Sequence, residues 1–322
     1  MPPLPSIPRL LPPTLFTSLL QKTPTYLSPL PQIIPINATW FLPNDPQKRT
    51  GLASHRSLRI PHSRFFDIDG IKDRTIDLPH MLPTPKTFVE AMRKLKIRRE
   101  DHLVFYDSWE MGILAAPRAA WTARVMGHGA VSVLNNFKIY VKEGYETVKG
   151  EEGISDYEKR ELSPEEEYPE NITADLDRVV SFSEVASLAR ENLTLPPGRL
   201  SKDIQILDAR PNGRFTGKDP EPRAGLSSGH LPGSLSIPFI SLLGPDGEYP
   251  DGGKLREILE KAGVKDDGKT KITSCGTGVT ATVIDLALEE AGFGEEGGKR
   301  RVYDGSWTEW AQKAEKELIL KD

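Results

Sequence analysis

The chain has a single thiol, Cys275, set in the stretch Ser274-Cys275-Gly276-Thr277-Gly278-Val279-Thr280. Gly276 and Gly278 can reach backbone angles that a side chain would forbid, so successive N–H groups can converge on one point. A helix N-terminus aimed at that point adds partial positive charge. Together they favour a negatively charged sulfur, the nucleophilic form of cysteine. A lone cysteine is more often a small buried hydrophobe. The position ahead of a helix, the paired glycines and the small polar Thr277 and Thr280 set this stretch apart from an apolar strand or helix interior. Cys275 is therefore the candidate nucleophile. With no second cysteine, any sulfur it takes up must leave to an external acceptor, and neither an internal disulfide nor a cysteine-based zinc site can form. No cofactor and no metal are expected.

The elements that must hold this loop are legible on both sides of it. Lys271-Ile272-Thr273 reads as the end of a short strand. Val279, Val283, Ile284, Ala287 and Leu288 then recur at helical spacing until Gly292 supplies a stop. Ile204 to Asp208 and Val302-Tyr303 read as further strands. The first half carries the same pattern. Trp40 to Pro43 and Phe65 to Asp69 suit strands or strand ends, Phe88 to Leu95 a helix, His102 to Tyr106 a buried strand, Ala115 to Met126 a helix, and Val131 to Leu134 a strand. Alternating short strands and helices imply an α/β fold with parallel sheets covered on both faces. The second half repeats the first: Leu231-Pro232-Gly233-Ser234 echoes Ile60-Pro61-His62-Ser63, and strand 271–274 with its loop and helix echoes strand 102–106 with its own. In this register Asp107 stands where Cys275 stands, so only one half can do cysteine chemistry.

The 322 residues suffice for two ordinary domains, and 37% hydrophobic with 27% charged residues describe a soluble globular chain. A net charge of −4 gives no general attraction to nucleic acid or to acidic membranes. No apolar run approaches the roughly 20 residues needed to span a bilayer. Neither nucleic acid nor membrane is an expected partner. Residues 1–32 carry only Arg9 and Lys22 as charged side chains and are rich in Pro, Leu, Ser and Thr. They read either as an unstructured tail or as a mitochondrial leader. The expected domains are 33–147 and 177–322. Between them, residues 148–176 hold ten Asp or Glu and read as an exposed acidic linker, with a solvated helix face over Glu158 to Glu167 as the alternative.

Cys275-Gly276-Thr277-Gly278-Val279-Thr280 resembles the active-site loop of the rhodanese-type sulfurtransferases, in the variant found in 3-mercaptopyruvate sulfurtransferases. The likeness runs from about residue 33 to 318. Asp208-Ala209-Arg210, Gly213-Arg214-Phe215, Gly217 and Pro220-Glu221-Pro222-Arg223 keep the family's spacing, as do Gly229 to Gly233 and Tyr303-Asp304-Gly305-Ser306-Trp307 with Glu309-Trp310. In the first half Phe65 to Asp69, Pro79-His80-Met81-Leu82-Pro83 and Ala116-Pro117-Arg118 match as well. The resemblance implies two tandem rhodanese-like domains, each a parallel sheet flanked by helices, with the active cysteine in the C-terminal one. It also implies that Arg214 and Arg223 bind the substrate. A guanidinium is a permanent, forked donor suited to an α-keto carboxylate. Arg210 is expected to pair with a carboxylate inside its domain.

The implied reaction moves sulfur from 3-mercaptopyruvate, through a Cys275 persulfide in the loop Gly276 to Thr280, to a thiol acceptor such as a thioredoxin. Pyruvate is released in a mitochondrial or cytoplasmic setting. Thiosulfate is the alternative donor. Relatives preferring it place Arg and Lys directly after the cysteine, where this chain has the uncharged Gly276 and Thr277. A persulfide carrier docking onto a sulfur-relay protein, as in tRNA thiolation, is a second class of function, since it needs the same loop. A cysteine phosphatase of the same fold needs an arginine six positions after the cysteine, and position 281 is alanine. The chain also departs from the family at Arg59, where the resemblance implies a histidine able to relay protons to the loop hydroxyl. His55 and His62 are the nearest substitutes in sequence. Asn135-Asn136 replaces a pair of glycines, a change confined to a turn.

Overall fold

The computed structural model describes residues 7–22, 30–196, 199–294 and 299–322. The chain forms two compact units, each around one five-stranded, wholly parallel sheet. The first holds β1 (Leu10–Leu11), β2 (Ile33–Asn37), β3 (Arg64–Phe65), β4 (His102–Tyr106) and β5 (Val131–Leu134), in the order β1-β5-β4-β2-β3. The second holds β6 (Val179–Val180), β7 (Gln205–Asp208), β8 (Ser234–Ser236), β9 (Lys271–Ser274) and β10 (Arg300–Tyr303), in the order β6-β10-β9-β7-β8. The two orders are the same permutation, so the weak sequence repeat is a full repeat of topology. The central strands β2, β4 and β9 are buried along their whole length, as strands covered on both faces must be.

Each sheet carries its core on helices at positions the apolar spacing dictates. In the second unit Val180, Val185, Leu188, Ile206, Ile272, Trp307 and Trp310 pack together, the last two from the helix Ser306–Lys313. In the first, Ile33, Leu58, Ile60, Val104, Leu134, Phe137 and Tyr140 do the same.

Two sequence expectations are corrected. Residues 10–22 are an ordered part of the first unit rather than an unstructured tail. Leu10 and Leu11 pair in parallel with Val133 and Leu134, and the helix Pro13–Lys22 buries Phe16 against Tyr140. Pro13 opens that helix, where a missing N–H costs nothing. Of the rest of the expected leader or tail, residues 1–6 and 23–29 lie outside the described residues. The acidic segment is likewise not a plain exposed linker, and its residues up to Ala174 belong to the first unit. Its Arg160 is buried and makes a two-pronged pair with Asp101, at 2.7 and 3.1 Å. Its Tyr168 is buried edge-on to Phe88 and bonded through its hydroxyl to His128. In place of a helix over Glu158 to Glu167 there is a short 3-10 turn, Asp156–Lys159.

Unit membership also departs from the simple division at the linker. Arg74–Leu82 belongs to the second unit, and Pro245–Glu248 to the first. In the second unit the amide of Leu82 donates to Asp304 at 2.7 Å. In the first, Ile113 N donates to Gly247 O at 2.8 Å, and Gly112 and Gly247 approach so closely that a Cβ on either would lie 2.4 Å from the other's Cα.

Candidate active site

Cys275 follows the last residue of β9 directly and is 1% exposed. The loop after it turns at Gly278, whose φ of 76° suits glycine, and runs into the helix Ala281–Glu290. The start of the helix Ser306–Lys313 holds the loop from one side. Cys275 N donates to Ser306 Oγ at 3.1 Å, and Ser306 Oγ donates in turn to Tyr303 O at 2.8 Å. Trp307 N donates to Cys275 O at 2.9 Å. Thr308 donates twice to Gly276 O, from its amide at 2.9 Å and its hydroxyl at 2.7 Å. These bonds explain the segment Tyr303 to Trp310 physically: it fixes the carbonyls of the first two loop residues and so the pose of the thiol.

Arg214 lies against the same loop. Its guanidinium is close enough that a Cβ on Gly276 would sit 3.2 Å from Nη2, so a side chain at position 276 would press on the guanidinium. Arg214 is held by Glu221, through Nε to Oε1 at 3.1 Å and Nη2 to Oε2. Glu221 also accepts from Arg210 Nη1 at 2.9 Å. As expected, Arg210 pairs inside its domain: it is buried, bonded to Asp208, and lies 3.9 Å over the Trp307 ring. Arg223 is half-buried in the loop that joins the helix Asn212–Thr216 to Gly229. The base of that loop is clasped by the last residues of the second unit. His230 and Leu320 exchange backbone bonds at 2.9 and 3.0 Å, and Asp322 N donates to Thr216 O at 3.0 Å.

Sequence reasoning missed one residue of this constellation. His80, from the segment Arg74–Leu82 of the second unit, is buried with Nδ1 3.0 Å from the hydroxyl of Thr277. Its φ is 59°. The histidine on the loop hydroxyl is therefore neither at position 59 nor at its sequence neighbours. Arg59 is a structural residue of the first unit, donating to the carbonyls of Gly150 at 2.7 Å and of Glu152. His55 is buried there, its charge so disfavoured by burial and by Arg59 and Arg56 that its pKa falls to about 3. His62, also in the first unit, is pulled down chiefly by partial burial. The Pro79 to Pro83 match already contained the right residue. Nothing local says that it meets a hydroxyl 197 positions away.

The corresponding loop of the first unit shows what this turn can bind. Asp107, at the position equivalent to Cys275, accepts from the amides of Leu114, Ala115 and Ala116 at 2.8, 3.0 and 3.0 Å, where the helix Ala116–Val125 begins. A carboxylate thus fills an amide cradle at a helix N-terminus. Burial still pushes Asp107 up to about 6, against the pull of those three amides. Among the described residues no group of three or more His, Cys, Asp or Glu side chains is gathered to hold a metal, and no helix is long and apolar enough to cross a membrane.

Residues 198–313 match the rhodanese-like domain family. The thiosulfate sulfurtransferase Tum1 of Saccharomyces cerevisiae is 39% identical over 300 residues, which cover 90% of this chain and 92% of that one. The crystal structure of Tum1 aligns with a TM-score of 0.82 at 37% identity, over 98% of this chain and 99% of the other. The 3-mercaptopyruvate sulfurtransferase of Escherichia coli K12 is 35% identical over 291 residues, 88% of this chain and 91% of that one. A yeast mitochondrial complex I sub-stoichiometric sulfur transferase subunit aligns with a TM-score of 0.78 at 32% identity, over 98% and 100% of the two chains. The chain belongs to the sulfurtransferases built from two rhodanese domains in tandem, and it is an enzyme of sulfur transfer.

Proposed function

We propose that the enzyme moves sulfur from 3-mercaptopyruvate to a thiol acceptor through a persulfide on Cys275, with pyruvate as the other product. The Cys275 thiolate attacks the substrate sulfur, and an S–S bond forms. The carbon–sulfur bond breaks, its electron pair passing into the pyruvate enolate. The enolate then takes a proton, leaving pyruvate and the Cys275 persulfide. Arg214 and Arg223 hold the carboxylate and keto oxygen and polarise the carbonyl toward the enolate. The loop Gly276 to Thr280 carries the sulfur, with the Thr277 hydroxyl beside it and His80 on that hydroxyl. An external thiol, of the thioredoxin class or small, finally removes the outer sulfur by thiolate attack.

The observation that carries this reading is the Arg214 guanidinium seated against Gly276, next to a loop with no charge of its own at positions 276 and 277. A keto acid needs a fork for its carboxylate and carbonyl. A thiosulfate dianion gains most from charges in the loop itself. Thiosulfate as donor is the second reading, supported by the name of the Tum1 relative. A relay or complex-bound role in mitochondria draws its support from the yeast complex I subunit.

Steady-state kinetics with both donors, and with thioredoxin, cyanide and dithiothreitol as acceptors, tests the proposal. The expected result is a higher kcat/KM for 3-mercaptopyruvate, together with an added mass of about 32 Da on Cys275, the sole thiol, after donor alone. A higher kcat/KM for thiosulfate reverses the donor assignment, and absence of the adduct removes the persulfide.

A further inference from the structure

We propose that Glu221 sets donor preference by holding one negative charge on Arg214, an inference that rests on Arg214 being the substrate clamp. The Glu221 side chain is 3% exposed and the Arg214 side chain 19%, so the carboxylate lies behind the guanidinium rather than in front of it. It is fixed there from two directions. Its Oε1 accepts both from Arg210 Nη1 at 2.9 Å and from Arg214 Nε at 3.1 Å, and its Oε2 accepts from Arg214 Nη2. Arg210 is itself immobilised by Asp208 at the end of β7, by the carbonyl of Gly229 at 2.7 Å and by the Trp307 ring. The chain of contacts runs from the sheet through Asp208, Arg210 and Glu221 to Arg214, and it ends against Gly276.

This arrangement has two separable effects. Geometrically, it engages the Nε–Nη2 edge of Arg214 with protein and leaves Nη1 without a protein hydrogen bond among the described residues. Electrostatically, Asp208 and Glu221 together offset Arg210 and Arg214, so the cluster is neutral as a whole. One fixed negative charge near an anion site costs a dianion twice what it costs a monoanion, whatever the dielectric. Glu221 therefore weighs against thiosulfate and in favour of the singly charged 3-mercaptopyruvate. It does so without touching either donor.

The test compares Glu221→Gln and Glu221→Asp with the wild-type chain, measuring kcat/KM for both donors with one acceptor at low and high ionic strength. Glu221→Gln should move the thiosulfate-to-mercaptopyruvate ratio toward thiosulfate by about three- to tenfold, and this shift should shrink as salt screens it. Glu221→Asp keeps the charge but withdraws from Arg214. Both rates should fall, with the ratio staying within about twofold of wild type. A ratio unmoved by Glu221→Gln overturns the proposal and leaves Glu221 a brace for Arg214. Should Glu221→Gln not fold, Glu221→Asp decides alone, and a ratio displaced beyond about threefold shows that geometry and not charge governs preference. A wild-type preference for thiosulfate bears only on the donor assignment, because the inference is read from the change in ratio.

Discussion

Arg214 and the Thr277–His80 pair make different demands on the substrate and are separable by substitution. If Arg214 and Arg223 clamp a carboxylate and a keto group, alanine at either removes a charge-assisted interaction of roughly 1.5–3 kcal/mol, or about ten- to a hundred-and-fifty-fold in kcat/KM for 3-mercaptopyruvate. Arg214→Lys keeps the charge but loses the fork, so it should recover only part of that loss. Alkylation of Cys275 by a neutral reagent should proceed near the wild-type rate in these variants; a slowed reaction would mean that the loop itself had moved. The hydroxyl of Thr277 and Nδ1 of His80 lie 3.0 Å apart, within one hydrogen bond. Thr277→Val or His80→Asn should each lower kcat/KM by about two- to tenfold, and the double variant should cost little more than the worse single one. Full additivity of the two losses would show that the residues act independently.

At the scale of elements, the short pieces decide most. Phe16 is buried against Tyr140, with ring centroids 6.0 Å apart, on a helix that follows a two-residue strand. Phe16→Ala should cost about 3–5 kcal/mol in the first unit, read as a lowered midpoint of chemical unfolding; a silent substitution would restore the reading of this segment as an unstructured tail. The Asp107 carboxylate offers two acceptors to three amides. Asp107→Asn turns one of them into a donor facing N–H groups, at a cost of about 1–3 kcal/mol measured the same way. The same pieces show what could be read beforehand. The strands β7 and β9 and the helix after Cys275 announce themselves by apolar runs and helical spacing, because burial on both faces leaves a strong pattern. The strand β1 is two residues between prolines and has no pattern to show. Arg160 and Tyr168 hide in a segment whose average composition is acidic, although each is buried by a specific partner, Asp101 and His128. His80 sits where only the tertiary fold brings it to Thr277.

Across the whole molecule, the histidines that burial pulls far down lie in the first unit, and this should separate the two units' response to acid. His55, His102 and His128 all lie in the first unit, and burial leads the causes that lower them to about 3, 4 and 4. His102 Nε2 lies 2.8 Å from Ser132 Oγ, and His128 spans the Tyr168 hydroxyl and the Asp101 carbonyl, so each ring is held in place, and burial disfavours its charge. A folded-state pKa below the unfolded value of about 6.5 means that the unfolded chain binds the extra proton first. The stability these groups contribute is complete above that value and is lost as the pH falls toward their folded values. At pH 5 each has given up roughly 2 kcal/mol. Asp107 runs the other way: its folded pKa of about 6 lies above the ordinary carboxylate value, so acidification through 6 returns stability, roughly 1 kcal/mol by pH 5. Three losses outweigh one gain. Amide exchange at pH 7 and pH 5, corrected for the intrinsic pH dependence of exchange, should therefore show β2, β4 and β5 losing protection by several kcal/mol while β7 and β9 lose much less. His102→Gln and His128→Gln, which remove the titrating groups, should narrow that difference. Equal loss in both sheets would place the acid sensitivity elsewhere than in these three histidines.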